Sequence, residues 1–168
     1  MMEQSGLLTE KKTDIKSLTL PELTAEMEAM GEKKFRAGQL YQWMHQKLAG
    51  DYEEMTNIPA ALKEKCRERF TYTSLVCVRE QISKIDGTRK YLFGNVVESV
   101  FMRYKHGNSV CISSQVGCRM GCRFCASTLD GLERNLLPSE MLDQIYAITR
   151  ITGERVSNVV VMGTGEPL

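Results

Sequence analysis

The sequence predicts an α/β chain in three parts: a small helical N-terminal domain over residues 1–72, a short β-hairpin connector over 73–105, and over 106–168 the first βαβ unit of a partial (β/α) barrel. Three observations predict it. Apolar residues recur at helical spacing as far as Phe70 and then alternate from Leu75 onward. Beyond Val110 the order becomes strand, helix, strand, the repeating unit of a parallel sheet. A loop carrying Cys118, Cys122 and Cys125 follows the first of these strands, at the strand end where barrel enzymes keep their chemistry.

The first helix begins at a capping box, Thr19 with Glu22 three residues on. Leu23, Met27 and Met30 form its apolar face and Gly31 closes it. The second places Ala37, Leu40, Tyr41, Met44 and Leu48 at helical spacing before Gly50 ends it, so that two short helices face each other. Trp43 and His45 lie off the main stripe, which points to a solvated or edge position rather than a ligand role. A third helix spans about Pro59 to Arg69, with Ile58, Leu62, Cys66 and Phe70 on one stripe, and Cys66 is a packed core residue. From Leu75 to Ser114 short strands are separated by turn residues, and Asp86-Gly87 suits a tight hairpin. Cys77 reads as core. Val96, Glu98, Val100, Met102 and Tyr104 share one strand face by the period of two. That puts one carboxylate among apolar neighbours, where burial would raise its pKa, but the residues alone favour a sheet-edge glutamate with its head in solvent. Val110 to Ser113 form the strand that enters the cysteine loop, and Cys111 on it reads equally as core or catalysis. Pro138 opens a helix that runs to Thr152 with Gly153 after its end, and Asn158 to Met162 form a buried strand. The turn Gly163-Thr164-Gly165-Glu166-Pro167 follows, where backbone donors and one carboxylate could meet a ligand amine.

Composition sets limits. The 168 residues are 42% hydrophobic and 26% charged, enough for one modest core or two small ones. Apolar runs fall short of a membrane span, and Met1 to Lys16 lacks the apolar centre of a signal peptide, so a cytoplasmic protein with no membrane partner is expected. Six cysteines, three of them clustered, suit a reducing compartment rather than a disulfide framework. The formal net charge of +1 argues for no partner. Locally, residues 84–134 carry eight Lys and Arg against four Asp and Glu, with Arg119 and Arg123 flanking the loop, a patch that suits phosphate contacts or a plain solvated face.

The stretch Cys118-Arg119-Met120-Gly121-Cys122-Arg123-Phe124-Cys125 spaces three cysteines so that one short loop brings their thiolates to a single point. Thiolates suit zinc or iron-sulfur clusters. Closed zinc sites want four ligands, whereas three thiolates on a four-iron cluster leave one iron open to a small molecule. Zinc with a remote fourth ligand, or three core cysteines, are the alternatives.

The spacing C-x-x-x-C-x-x-C, with Phe124 before the third cysteine, resembles the cluster loop of the radical S-adenosylmethionine (SAM) enzymes. Together with Cys111 to Cys118, Ala126-Ser127-Thr128, Arg134-Asn135-Leu136 and Gly163 to Leu168, it is similar to one branch, the RlmN/Cfr family of ribosomal RNA methyltransferases. The helical part resembles that family's N-terminal domain in Phe35-Arg36-Ala37, Gln39-Leu40-Tyr41 and Glu53 to Asn57. The resemblance implies a radical SAM barrel and a 4Fe-4S cluster on Cys118, Cys122 and Cys125. It further implies SAM contacts from Phe124, Gly165 and Glu166, a catalytic thiol in Cys111 and a proton acceptor in Glu98. It implies as partners 23S ribosomal RNA, transfer RNA and an electron donor such as flavodoxin or ferredoxin. The implied reaction methylates carbon 2 of an adenine, or carbon 8 in the resistance branch. A methyl-carrying cysteine near the family's C-terminus forms a covalent RNA adduct, which deprotonation and the Cys111 thiol resolve. Carbon 2 is electrophilic, so a conventional methyl transfer to a nucleophile does not serve there. The helical part would help to grip or deform RNA, since a stacked adenine must be freed before it reacts.

Against that family the sequence stops at Leu168, with no counterpart of the methyl-carrying cysteine. A (β/α) barrel takes on the order of 200 residues or more, so an N-terminal part of a longer enzyme is expected, prone alone to aggregate at its open edges. The turn at Phe93-Gly94-Asn95 is also tighter than the family's. A non-catalytic cysteine-metal RNA-binding module remains the reading from a different class, and it leaves the Gly163 to Pro167 turn unexplained.

Overall fold

The computed structural model describes residues 12–94 and 96–167. The opening residues read for a signal peptide thus fall largely outside the described residues, as do Asn95 of the tight turn and Leu168.

The helical part builds its own core. Asp14 caps a 3-10 turn over Ile15–Ser17, its Oδ1 accepting the Lys16 N–H at 3.0 Å. Helix α1 (Leu20–Ala29) starts as expected, with Glu22 Oε2 accepting from Thr19 N–H at 2.8 Å and Thr19 Oγ1 at 2.7 Å. Caps of this kind are worth roughly 1 kcal/mol. Helix α2 (Phe35–His45) buries Ala37, Leu40 and Met44 against it. It ends at His45 rather than at Gly50. The Lys47 N–H reaches back to the Gln42 carbonyl and Leu48 takes φ 57°, so Leu48 leaves the helical stripe and turns its carbonyl to Arg150 at 3.1 Å. Helix α3 (Ala60–Arg69) completes the core with Ile58, Leu62, Cys66 and Phe70. Burial pushes the Cys66 thiol up to about 11, which leaves it protonated and inert.

The second core lies under a five-stranded sheet. Its strands are β1 (Cys77–Ile82), β2 (Arg89–Phe93), β3 (Val97–Tyr104) and β4 (Gly107–Cys111). A small ribbon of β5 (Gln115–Gly117) and β6 (Leu132–Asn135) follows, then helix α4 (Pro138–Thr152) and β7 (Val156–Val160). The order is β1-β2-β3-β4-β7, antiparallel except for the β4 and β7 pair. The hairpin strands therefore continue the same sheet as the βαβ unit. The β1–β2 connection spans residues 83–88, longer than a two-residue turn, with Asp86 accepting from Thr88 N–H at 3.1 Å and Thr88 Oγ1 at 2.8 Å.

Two expectations are corrected here. The last strand starts two residues earlier than Asn158, and it is not buried: it pairs with β4 alone, so four of its five residues are exposed. On β3 the buried face carries Val97, Ser99 and Phe101, packed towards α4, whereas Glu98 is exposed and Val100 and Met102 only partly covered. Glu98 thus faces solvent, as the residues alone favoured.

Helix α4 joins the two cores. Gln144 at its centre is fully buried, taking the Ser113 N–H at 2.8 Å and the Ser99 hydroxyl at 2.7 Å while donating to the Ser113 carbonyl at 2.9 Å. On another face of α4, Asp143 receives Lys16 Nζ at 2.8 Å and the Leu75 N–H at 2.6 Å, with both charged side chains fully buried. Burial pulls the Lys16 ammonium below the ordinary lysine range, and the Asp143 carboxylate opposes that pull. His45, expected at a solvated or edge position, is half-buried at the same joint, with Nδ1 2.8 Å from the Tyr146 hydroxyl.

Candidate functional site

The cysteine loop hangs from the β5–β6 ribbon. Cys118 N–H donates to the Gly131 carbonyl at 3.0 Å, closing the loop at its base. That closure requires glycine at 117: its φ is 73°, and a Cβ there would lie 1.9 Å from the Gly131 oxygen. Inside the loop the Cys125 N–H donates to the Cys122 carbonyl at 3.0 Å, and Thr128 Oγ1 donates to the Cys125 carbonyl at 2.9 Å.

The turn after β7 packs against the segment after β4. Gly163 N–H donates to the Ile112 carbonyl at 2.9 Å, and the Thr164 carbonyl accepts from the Ser114 and Gln115 N–H groups at 2.9 and 3.1 Å. Glu166 N–H donates to Gln115 Oε1 at 2.9 Å. A Cβ on Gly165, whose φ is 115°, would lie 2.7 Å from both Gln115 Cβ and Ser114 Oγ, so this approach also needs glycine.

These contacts bring the cysteine loop and the turn around one cavity of about 340 Å³, lined by Cys118, Cys122, Phe124, Cys125, Gly165 and Glu166 among others. Cys118 is buried, Cys125 partly so and Cys122 exposed, while Phe124 stands 94% exposed at the rim. The thiols do not meet at a single point: among the described residues no three His, Cys, Asp or Glu side chains are grouped to hold one metal ion. The expected convergence of the three thiols at one point is not seen in this arrangement. As a donor set, three thiols lining one cavity suit zinc or an iron-sulfur cluster.

Glu98 and Cys111 lie on one face of the sheet. The β3–β4 register sets Val100 opposite Cys111, so Glu98 is the diagonal neighbour of Cys111, about 7–8 Å along the sheet. Cys111 is partly exposed. Glu98 lines a second cavity of about 750 Å³, with Val116, Gly117, Ser127, Asp130, Glu133 and Thr164 around it. Ser127 lines both cavities, so the two adjoin beneath the cysteine loop. Lys90 Nζ stands 2.7 Å from Glu98 Oε1. Sequence reasoning missed Lys90 and Gln144. A polar residue at the centre of a helix flanked by apolar turns was the available signal for Gln144; Lys90 gave none.

Residues 13–71 match the family model described as the ribosomal RNA large subunit methyltransferase N-terminal domain. The chain is 68% identical over 160 residues to a probable dual-specificity RNA methyltransferase RlmN of Lachnospira eligens, covering 93% of this chain and 46% of that protein. A protein of the same description from Lachnoclostridium phytofermentans is 61% identical over 165 residues, 94% of this chain and 46% of the relative. Among solved structures, a radical SAM methyltransferase from Sphaerobacter thermophilus superposes with a TM-score of 0.83 at 40% identity, covering 92% of this chain and 48% of that one. The chain spans about half the length of the curated relatives it matches. Over that span the chain is similar to the N-terminal part of these methyltransferases, and its residues 13–71 match the N-terminal domain of the ribosomal RNA large subunit methyltransferases.

Proposed function

We propose that the protein containing this chain is a radical SAM methyltransferase acting on carbon 2 of an adenine in 23S ribosomal RNA, and on an adenine in the transfer RNA anticodon loop. The observation that carries this reading is the shared cavity of Cys118, Cys122, Cys125 and the Gly165-Glu166 turn, adjoining the cavity that holds Glu98. In this reading the three cysteines hold a 4Fe-4S cluster, which when bound supplies the electron for reductive cleavage of SAM. The Gly165 backbone and the Glu166 carboxylate bind the methionine end of SAM, and Phe124 covers its adenine. Glu98 accepts a proton from the modified adenine, and the Cys111 thiol on the same sheet face resolves the covalent adduct. The helical part, residues 1–72, serves as an RNA-gripping accessory domain, 73–105 as connector and 106–168 as the start of the barrel. An electron donor such as flavodoxin or ferredoxin and a cytoplasmic location complete the proposal. Among the described residues no helix is long and apolar enough to cross a membrane.

The test is anaerobic iron and sulfide reconstitution of the full-length protein, followed by electron paramagnetic resonance with and without SAM. A reduced 4Fe-4S signal that shifts on adding SAM supports the reading; bound zinc with no cluster overturns it. Nucleoside mass spectrometry of treated 23S RNA against 2-methyladenosine and 8-methyladenosine standards then decides the carbon.

A further inference from the structure

Glu98 sits on the partition between two cavities. On one side is the large cavity beneath the cysteine loop; on the other is a smaller one of about 160 Å³, lined by Arg79, Gln81, Lys90, Leu92 and Glu98. The β2–β3 register sets Leu92 opposite Glu98 and Lys90 opposite Val100. Lys90 is therefore the diagonal neighbour of Glu98 on the same face, and its Nζ reaches Glu98 Oε1 at 2.7 Å.

We infer that Lys90 is a positioning residue for Glu98, holding its carboxylate turned along the sheet so that it can take a proton from substrate in the larger cavity. This inference rests on the proposed role of Glu98 as proton acceptor. Two arguments carry it. First, the larger cavity places Asp130 and Glu133 around the same space as Glu98. The described residues lining that cavity include no cation to hold the Glu98 carboxylate. Lys90 and Arg79 are the cations that face Glu98 from the other side, and Lys90 is the one in contact. Second, the side chains of the pair are 44% and 47% exposed, and a pair that open to water adds little to stability. Its consequence lies in the direction of the carboxylate.

The proton balance is simple. The C–H proton of the substrate passes to a Glu98 oxygen, the electron pair of that bond stays with the substrate, and Glu98 becomes a neutral acid beside an ammonium that keeps its charge. Both side chains reach solvent, so the acid returns its proton to water.

The experiment compares Lys90→Met, Lys90→Arg and Glu98→Gln in the reconstituted full-length protein. It reads 5′-deoxyadenosine formation, covalent protein–RNA adduct on denaturing gels, and methylated RNA. Wild-type 5′-deoxyadenosine formation in the first turnover certifies that a variant folds and holds its cofactors. Lys90→Met is expected to slow product release by about tenfold or more, part of what a general base supplies. It should accumulate the adduct as Glu98→Gln does, with the KM for RNA moved less than about threefold. Lys90→Arg should restore release, because it keeps the charge. A raised KM without adduct would make Lys90 an RNA contact and overturn the inference, and so would normal turnover of Lys90→Met. If Glu98→Gln itself releases product normally, the proton-acceptor reading fails and this inference falls with it.

Discussion

One face of the five-stranded sheet carries Tyr91, Phe93, Val97, Phe101 and Val110, each 2% exposed or less beneath α4, while the other carries Lys90, Leu92, Glu98, Val100, Met102 and Cys111, all partly or fully open. The strands are the same and the backbone hydrogen bonds are shared; only the parity of the position differs. The closed face supplies the burial that holds the sheet, and the open face bears the groups proposed to react. A slip of one residue in β3 would exchange the two sets, placing Glu98 under α4 and Phe101 in water. The ladder with β2 on one side and β4 on the other fixes the register, as do the Gln144 bonds to Ser99 and Ser113.

Substitutions on the two faces should separate stability from chemistry. Phe101→Ala, on the closed face, is expected to cost about 3–5 kcal/mol in urea unfolding of the full-length protein. Glu98→Gln, on the open face three positions away, should change stability by less than about 0.5 kcal/mol and yet stall product release with RNA adduct accumulating. Cys111→Ala should behave like Glu98→Gln, keeping the cluster signal and trapping the adduct. A Cys111→Ala protein with normal turnover would return that residue to a packing role.

The joint behind α4 gives the next largest effect. Asp143→Ala leaves the Lys16 ammonium buried without its carboxylate and also strips the Leu75 N–H of its acceptor. Breaking such a pair costs about 3–5 kcal/mol. The double variant Lys16→Met with Asp143→Leu should recover much of that loss, since an apolar pair of similar volume is often no worse than a buried ion pair. If the double variant is as unstable as the single one, the hydrogen bonds that the Leu75 N–H donates to Asp143 and that Lys16 Nζ donates to the Thr73 carbonyl at 2.6 Å matter more than the charges.

The helices were legible because their signals are local: the Thr19–Glu22 box, the stripes of α1 and α3, and the helical bounds Pro138 to Thr152 all read correctly from neighbouring residues. The open face of β3 was not. Val96, Val100 and Met102 are as apolar as Val97 and Phe101, so alternation could not say which parity faces α4; the family resemblance, not the pattern, singled out Glu98. Contacts between distant segments were equally silent. Lys16 and Asp143 are 127 residues apart, and no local rule pairs them. The ribbon that hangs the cysteine loop uses strands of three and four residues, too short for periodicity to register.

Gly117→Ala tests that ribbon. The added methyl would strike the Gly131 carbonyl and force a left-handed backbone on alanine, a strain of about 1–2 kcal/mol before the clash is counted. The loop should detach from its base, and iron content after reconstitution should fall even where the sheet remains folded. Full iron loading in Gly117→Ala would show that the three cysteines need no such frame.

The smallest expected effect concerns the joint rather than either face. His45 Nδ1 meets the Tyr146 hydroxyl, and its Nε2 is buried without a hydrogen-bond partner among the described residues. Burial, with a lesser push from the Lys16 charge, holds His45 below its ordinary range. The unfolded chain therefore binds a proton at a pH where the native joint does not, so the native state is favoured above the usual histidine pKa and loses ground as pH falls below it. Between about pH 7 and pH 5 the wild-type protein should lose stability more steeply than His45→Gln, which cannot take up that proton. Acid-labile carboxylates contribute equally to both proteins, so the difference in slope isolates His45. Parallel slopes would mean that His45 is free to protonate in the native state, and that the seam between α2 and α4 opens to water far more readily than the sheet core beside it.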